Sequence, residues 1–102
     1  MSVRYILAPR ALEHLLNIRH YVAAQSNTVT ADRVESNILN RMDFLAGSPG
    51  VGHRREDLTG ENVKFFRVYS YLIVYSPDTK PLEIISIIHG GRDVAQALRD
   101  RT

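Results

Sequence analysis

The sequence contains no cysteine. A disulfide framework and any thiolate-held metal site are therefore excluded. No apolar run approaches the roughly 20 residues that a membrane-spanning helix needs. The opening residues, M-S-V-R-Y-I-L-A-P-R, carry only a short apolar stretch and lack the long hydrophobic segment of a secretory signal. A cytoplasmic location is the expectation. Lysine is scarce: of 13 basic residues only Lys64 and Lys80 are lysine, and the other 11 are arginine. Several motifs are missing too. There is no HExxH, no Walker loop, no GxGxxG and no GxSxG elbow. His14 and His20 do not share a helical face, His53 lies in a polar loop, and His89 ends an apolar run. No metal and no cofactor are expected.

What is present suits one modest core. At 102 residues, 44% hydrophobic and 24% charged, the chain reads as a single domain spanning residues 1–102. The formal net charge is only +2. The arginine surplus carries more information, because a guanidinium fork binds carboxylates and phosphates in pairs and stacks on flat groups. A partner surface, a nucleic acid, or an ordinary surface in which arginine replaces lysine are all consistent with it.

Residues 3 to 8, V-R-Y-I-L-A, read as a short strand that Pro9 ends. Pro9 also suits the first position of a helix. Leu12, Leu15, Ile18, Tyr21 and Val22 then recur at the spacing of an amphipathic helix. The stretch S-N-T-V-T, residues 26 to 30, breaks that helix and offers N-cap oxygens, Thr28 and Thr30 among them. Ala31, Val34, Ile38, Met42 and Leu45 make a second stripe, stopped by Gly47, Pro49 and Gly50. So short a joint implies an antiparallel helix hairpin. A charged loop over residues 50 to 62 follows. K-F-F-R-V-Y, Y-L-I-V-Y and L-E-I-I-S-I-I have the β-branched and aromatic content of strands, with Ser70 and P-D-T-K-P as turns. The last strand lacks polar alternation and is expected to be central.

The order is therefore β-α-α-β-β-β with a short tail. The fold class is α+β: an antiparallel-rich sheet of about four strands with the hairpin on one face. The other face is expected to be partly exposed. The tail R-D-V-A-Q-A-L-R-D-R has helical propensity but is expected to fray.

Residues able to act on a phosphate or an acidic surface lie on and around the strands: His53, Arg54, Arg55, Lys64, Arg67, Tyr69, Tyr71, Tyr75, His89 and Arg92. Metal-free cleavage of RNA needs a base, an acid and a cation, and Arg67, His89 and Arg92 supply part of that set. Each also has a structural reading. Strand tyrosines usually pack, Arg55 sits close to Glu56 and Asp57, and His89 can simply end its strand.

Element order and residues together resemble the RelE/ParE superfamily of toxins from type II toxin–antitoxin modules, and within it the ParE branch. The likeness runs through Y-I-L-A-P-R-A-L-E-H-L at 5 to 15, I-R-H-Y-V at 18 to 22 and L-A-G-S-P-G-V-G-H-R-R-E-D-L at 45 to 58. It continues in F-R-V-Y-S-Y-L-I-V-Y at 66 to 75 and I-I-S-I-I-H-G-G-R-D-V at 84 to 94. Arg67 and Arg92 stand where two arginines of the RelE-like, ribosome-dependent mRNA endoribonucleases fall. The acid–base tyrosine expected after Arg92 is missing, and so is a terminal His-Tyr pair. H-G-G-R-D-V instead resembles the end of the last strand in ParE-like members, which poison DNA gyrase and are not ribonucleases.

The resemblance thus implies a toxin that acts on gyrase by binding, with Arg55, Arg67, His89 and Arg92 as target contacts. It also implies a cognate ParD-like antitoxin in a hetero-oligomer. Leu16, His20 and Tyr69 are the candidate antitoxin contacts, near a groove between hairpin and sheet. Leu16 is equally readable as a core residue. The alternatives are a RelE-like ribonuclease using Arg67, His89 and Arg92, or a degenerate toxin that only binds its antitoxin. His89 is expected to end the last strand, with Gly90 and Gly91 turning the chain through unrestricted φ.

Overall fold

A computed structural model describes residues 3–91 and 94–99. Arg92, named above as a target contact, lies outside the described residues. The chain order is β1 (Tyr5–Leu7), α1 (Pro9–Gln25), α2 (Thr28–Gly47), a 3-10 turn (Pro49–Val51), β2 (Lys64–Val68), β3 (Tyr71–Ser76), β4 (Leu82–His89) and α3 (Val94–Arg99). The sheet order is β1-β4-β3-β2. Two of its three pairings are antiparallel; β1 runs parallel to β4, with Tyr5 opposite Leu82. β4 is central, as its apolar run implied, and even Ser86 within that run is buried.

Pro9 opens α1 as its spacing suggested. Asn27, not Thr28 or Thr30, caps α2: its side chain accepts from the Thr30 N–H at 2.7 Å. An asparagine one residue before the helix reaches that N–H, whereas Thr28 and Thr30 are already inside the first turn. The stripe on α1 is also displaced. Ala11, Leu15 and Ile18 are buried, while Leu12 and Tyr21 are exposed. One residue of shift rotates a helical position by about 100°, enough to carry Leu12 off the buried face. The α2 stripe falls as expected, with Ala31, Ile38, Met42 and Leu45 buried and Val34 half-buried.

The hairpin closes one sheet face. Leu15, Ile18, Ile38, Met42 and Leu45 pack against Ile73, Tyr75, Ile84 and Ile87. The middle of the seam is thus filled, while a concavity opens between α1 and β4 at one end of it. His14 seals the outer side of β4 beyond the end of β1: its Nδ1 accepts from the Ile87 N–H at 3.2 Å. A backbone donor that β1 is too short to meet thus finds a side chain.

The opposite face is partly covered, with Leu72 and Ile85 left half-buried. Val63, Phe65, Val74 and Ile88 form a second cluster with Val94 and Leu98 of α3. The tail does not fray across residues 94–99. A six-residue helix is marginal alone, but one buried side chain per turn anchors this one on the sheet.

Candidate functional site

One end of the sheet collects several of the expected site residues. Arg67 lies near the C-terminal end of β2, Tyr69 in the turn to β3, and His89 at the end of β4. The Gly90 N–H donates to the Ser70 carbonyl at 2.8 Å, tying the β2–β3 turn to the end of β4. The Arg67 Nη2 stands 3.7 Å from the point where a Cβ on Gly90 would project. Among the described residues no glycine has positive φ. Gly90 and Gly91 are thus not needed for unrestricted φ. Space is tight instead: a Cβ would come within 3.3 Å of the Ser70 carbonyl at Gly90 and within 3.1 Å of the exposed His89 ring at Gly91, so either neighbour would have to shift slightly.

His89 ends its strand as expected. Its Nδ1 accepts from the Gly91 N–H at 3.0 Å, which turns the chain back on the imidazole. Its ring meets Tyr71 edge-on, with centroids 5.5 Å apart and planes at 86°. That acceptor role assigns the ring proton of neutral His89 to Nε2. On the α1 side of this corner, His14, Asn17, Tyr21, Tyr71 and His89 line a concavity of about 400 Å³.

The residue out of pattern is Tyr69. It takes the positive-φ position of the β2–β3 turn, at φ 55°, where glycine or asparagine is usual. Its carbonyl accepts from the Arg67 Nε at 3.3 Å. Its hydroxyl is hydrogen-bonded by the Asn37 side-chain amide of α2, and the residue is half exposed. A non-glycine residue here costs about 1–2 kcal/mol. Tyr69→Gly removes that cost while adding unfolded-state entropy of about 0.5–1 kcal/mol. The variant is expected to unfold at the wild-type denaturant midpoint or slightly above it. A loss of more than about 1 kcal/mol would show that the phenol holds the fold together.

The structure separates Arg55 from this corner. Arg55 follows His53, which pairs with Phe65 at the other end of β2. Its Nε and Nη2 grip Asp57 at 3.0 and 2.8 Å, and the bond holds the Asp57 carboxyl below its usual range. Its charge is met locally. Leu16 and His20 both lie exposed on α1, which settles Leu16 outside the core. They share one helical stripe with Leu12, away from Tyr69, which touches α2.

Two residues of this corner were not singled out from sequence, Asn37 and Arg41. Both are ordinary polar positions on an amphipathic helix, and only the packing of α2 along β2 brings them to the turn. No group of three or more His, Asp or Glu side chains suited to a metal occurs among the described residues. No helix among them is long and apolar enough to cross a membrane.

No curated protein matches the chain. A family match does exist, to the ParE toxin of the type II toxin-antitoxin system parDE, and it covers residues 5–94. The matched span runs from β1 to the first residue of α3, and so takes in the hairpin, all four strands and the Arg67–His89 corner. The chain belongs to the ParE toxin family of type II toxin–antitoxin systems.

Proposed function

We propose that this toxin inhibits DNA gyrase by binding, and that a cognate ParD-like antitoxin neutralises it in a hetero-oligomer. It acts in the cytoplasm as a single-domain protein without a cofactor. The observation that carries this reading is the family match across residues 5–94. The sequence agrees, because no tyrosine follows Tyr75 and the ribonuclease-type C-terminal phenol is missing. The target surface is the end of the sheet that holds Arg67 and His89; Arg92 remains a candidate contact from the sequence alone. Arg55 is a weaker candidate, since Asp57 already meets its charge. Leu16 and His20 offer an exposed face of α1 to the antitoxin, and Tyr69 offers a second point on the turn.

The test uses purified gyrase, ATP and plasmid. Addition of the folded protein is expected to give linear DNA after detergent and protease treatment. Arg67→Ala should reduce that product about tenfold, the loss of one charged contact of about 1.4 kcal/mol. Unchanged supercoiling with no linear product would sink the gyrase assignment.

A second reading has its own support. Arg67, Tyr71 and His89 stand at one end of the sheet, with a phenol ring against an imidazole. Tyr71 and His89 face the hairpin side and Arg67 the α3 side, so the acid–base pair of a ribosome-dependent mRNA endoribonuclease would rest on Tyr71 and His89. New mRNA 5′ ends inside translated codons after induction, lost in His89→Ala, would favour it over gyrase.

A further inference from the structure

The concavity between α1 and the end of β4, about 400 Å³, differs in charge from two others on this surface. The one beside Pro9 holds Arg10, Glu13, Glu61 and Glu83, and the one beside the β2–β3 turn holds Arg41 and Arg67. Among the described residues that line the α1–β4 concavity there is no Lys, Arg, Asp or Glu. Four of them carry flat rings instead: His14, Tyr21, Tyr71 and His89. Buried Ile18 and Ile87 supply apolar surface. Asn17, Tyr21 and His89 are exposed and form the rim. Both imidazoles are held in one tautomer. The His14 Nδ1 accepts from the Ile87 N–H at 3.2 Å, and the His89 Nδ1 accepts from the Gly91 N–H at 3.0 Å. Each neutral ring therefore carries its proton on Nε2.

We propose that this concavity binds a single unpaired nucleobase. The lining selects a neutral occupant, because a charged group set against apolar surface without a partner is costly. Its flat rings select a flat one. The face of a base stacks on tyrosine and histidine rings, and Ile18 and Ile87 take the rest of its apolar area. The rim selects a polar edge. The Asn17 amide offers a donor and an acceptor side by side, the pattern that meets the edge of a base. The His89 Nε2–H and the Tyr21 hydroxyl add donors for ring nitrogens and carbonyl oxygens. The volume lies low in the ordinary range of roughly 300–1,000 Å³ for ligand sites, enough for a base and its sugar. A base inside a duplex is stacked on both faces and cannot enter, so the occupant is free or extruded from a strand. Base binding goes beyond the choice of target and stands whether that target is gyrase or the ribosome.

The test titrates adenosine, guanosine, cytidine and uridine, all uncharged, into the isotope-labelled full chain and follows backbone amide signals by NMR. With at least one nucleoside the amides of Asn17, Tyr71 and His89 are expected to shift and to saturate at millimolar ligand. Asn17→Ala and Tyr21→Ala should each weaken that binding about tenfold. Both side chains are exposed, so both variants keep the fold. Ribose, the sugar without a base, should leave the signals in place. A three-nucleotide DNA strand with the preferred base between two abasic positions separates the sources. Tighter binding of the strand than of the nucleoside assigns the site to an extruded base, and equal or weaker binding assigns it to a free nucleoside. Either result supports the proposal. Three others would each overturn it: no shift of these amides with any of the four nucleosides, the same shifts with ribose, or wild-type affinity in both variants.

Discussion

Gly52→Ala should lower stability by about 3 kcal/mol, at the upper end of overpacking effects, while Gly50→Ala two residues earlier should leave it nearly unchanged. The backbone is not the obstacle, since Gly52 sits at φ −72° and ψ 177°, where any residue fits. Space is. A Cβ on Gly52 would lie 2.3 Å from the Tyr75 hydroxyl, 3.0 Å from Tyr75 Cε1 and 3.0 Å from the Phe65 carbonyl. Neither neighbour can retreat cheaply. Tyr75 is fully buried, and the Phe65 carbonyl holds the His53 N–H. At Gly50 a Cβ meets nothing within 4 Å. For a domain of this size the Gly52 variant should melt roughly 15 °C lower. Equal denaturant midpoints for the two variants would refute the steric account.

Tyr75→Phe is expected to cost about 2 kcal/mol, the usual penalty for leaving buried groups unpaired. The phenol oxygen accepts from the Gly52 N–H at 3.0 Å and donates to the Pro49 carbonyl at 2.8 Å. It thus pins the segment that leads from α2 to the sheet. Phenylalanine preserves the ring packing and deletes both bonds, so the loss reads the hydroxyl alone. Burial raises the Tyr75 pKa above the ordinary tyrosine value, and the Gly52 hydrogen bond offsets this in part. The unfolded chain therefore gives up this proton at lower pH than the folded one. The contribution is fully present below about pH 10 and is lost as pH rises through the folded value. Wild-type stability should fall above about pH 10, with part of that fall missing in Tyr75→Phe. Denaturant titrations at neutral and alkaline pH measure both effects, and identical alkaline slopes would argue against burial as the cause. Gly52→Ala made in the Tyr75→Phe background should cost less than in wild type, because the closest clash is with the deleted oxygen.

The order of elements was legible because each carries its own local signal. Proline at the start of α1, the three-and-four spacing of Ala31 to Leu45, and the β-branched run of β4 are properties of neighbours in the chain. Local signals do not state how faces meet. Leu12 and Leu15 both fit a helical stripe on paper, but the sheet accepts only the face holding Ala11, Leu15 and Ile18. The tail looked too short to hold, and α3 exists because the far face of the sheet supplies a hydrophobic partner for Val94 and Leu98.

The site divides the same way. Arg67, Tyr69 and His89 stand out in sequence as basic or aromatic residues on strands, and the fold brings them to one end of the sheet. Arg55 stands out equally, yet the Asp57 pairing and the length of β2 remove it from that corner. Asn37 and Arg41 join the corner with no sequence signal, since a polar residue on the outer face of a helix is ordinary until a strand edge lies beside it. Sequence by itself determined the α+β class, the strand and helix order, the lack of thiol chemistry and the likeness to ParE toxins. The tertiary structure alone decided which face of α1 is buried, which rings share a concavity and why Gly52 has no room for a Cβ. Those properties depend on contacts between residues far apart in the chain, and a linear pattern does not carry them.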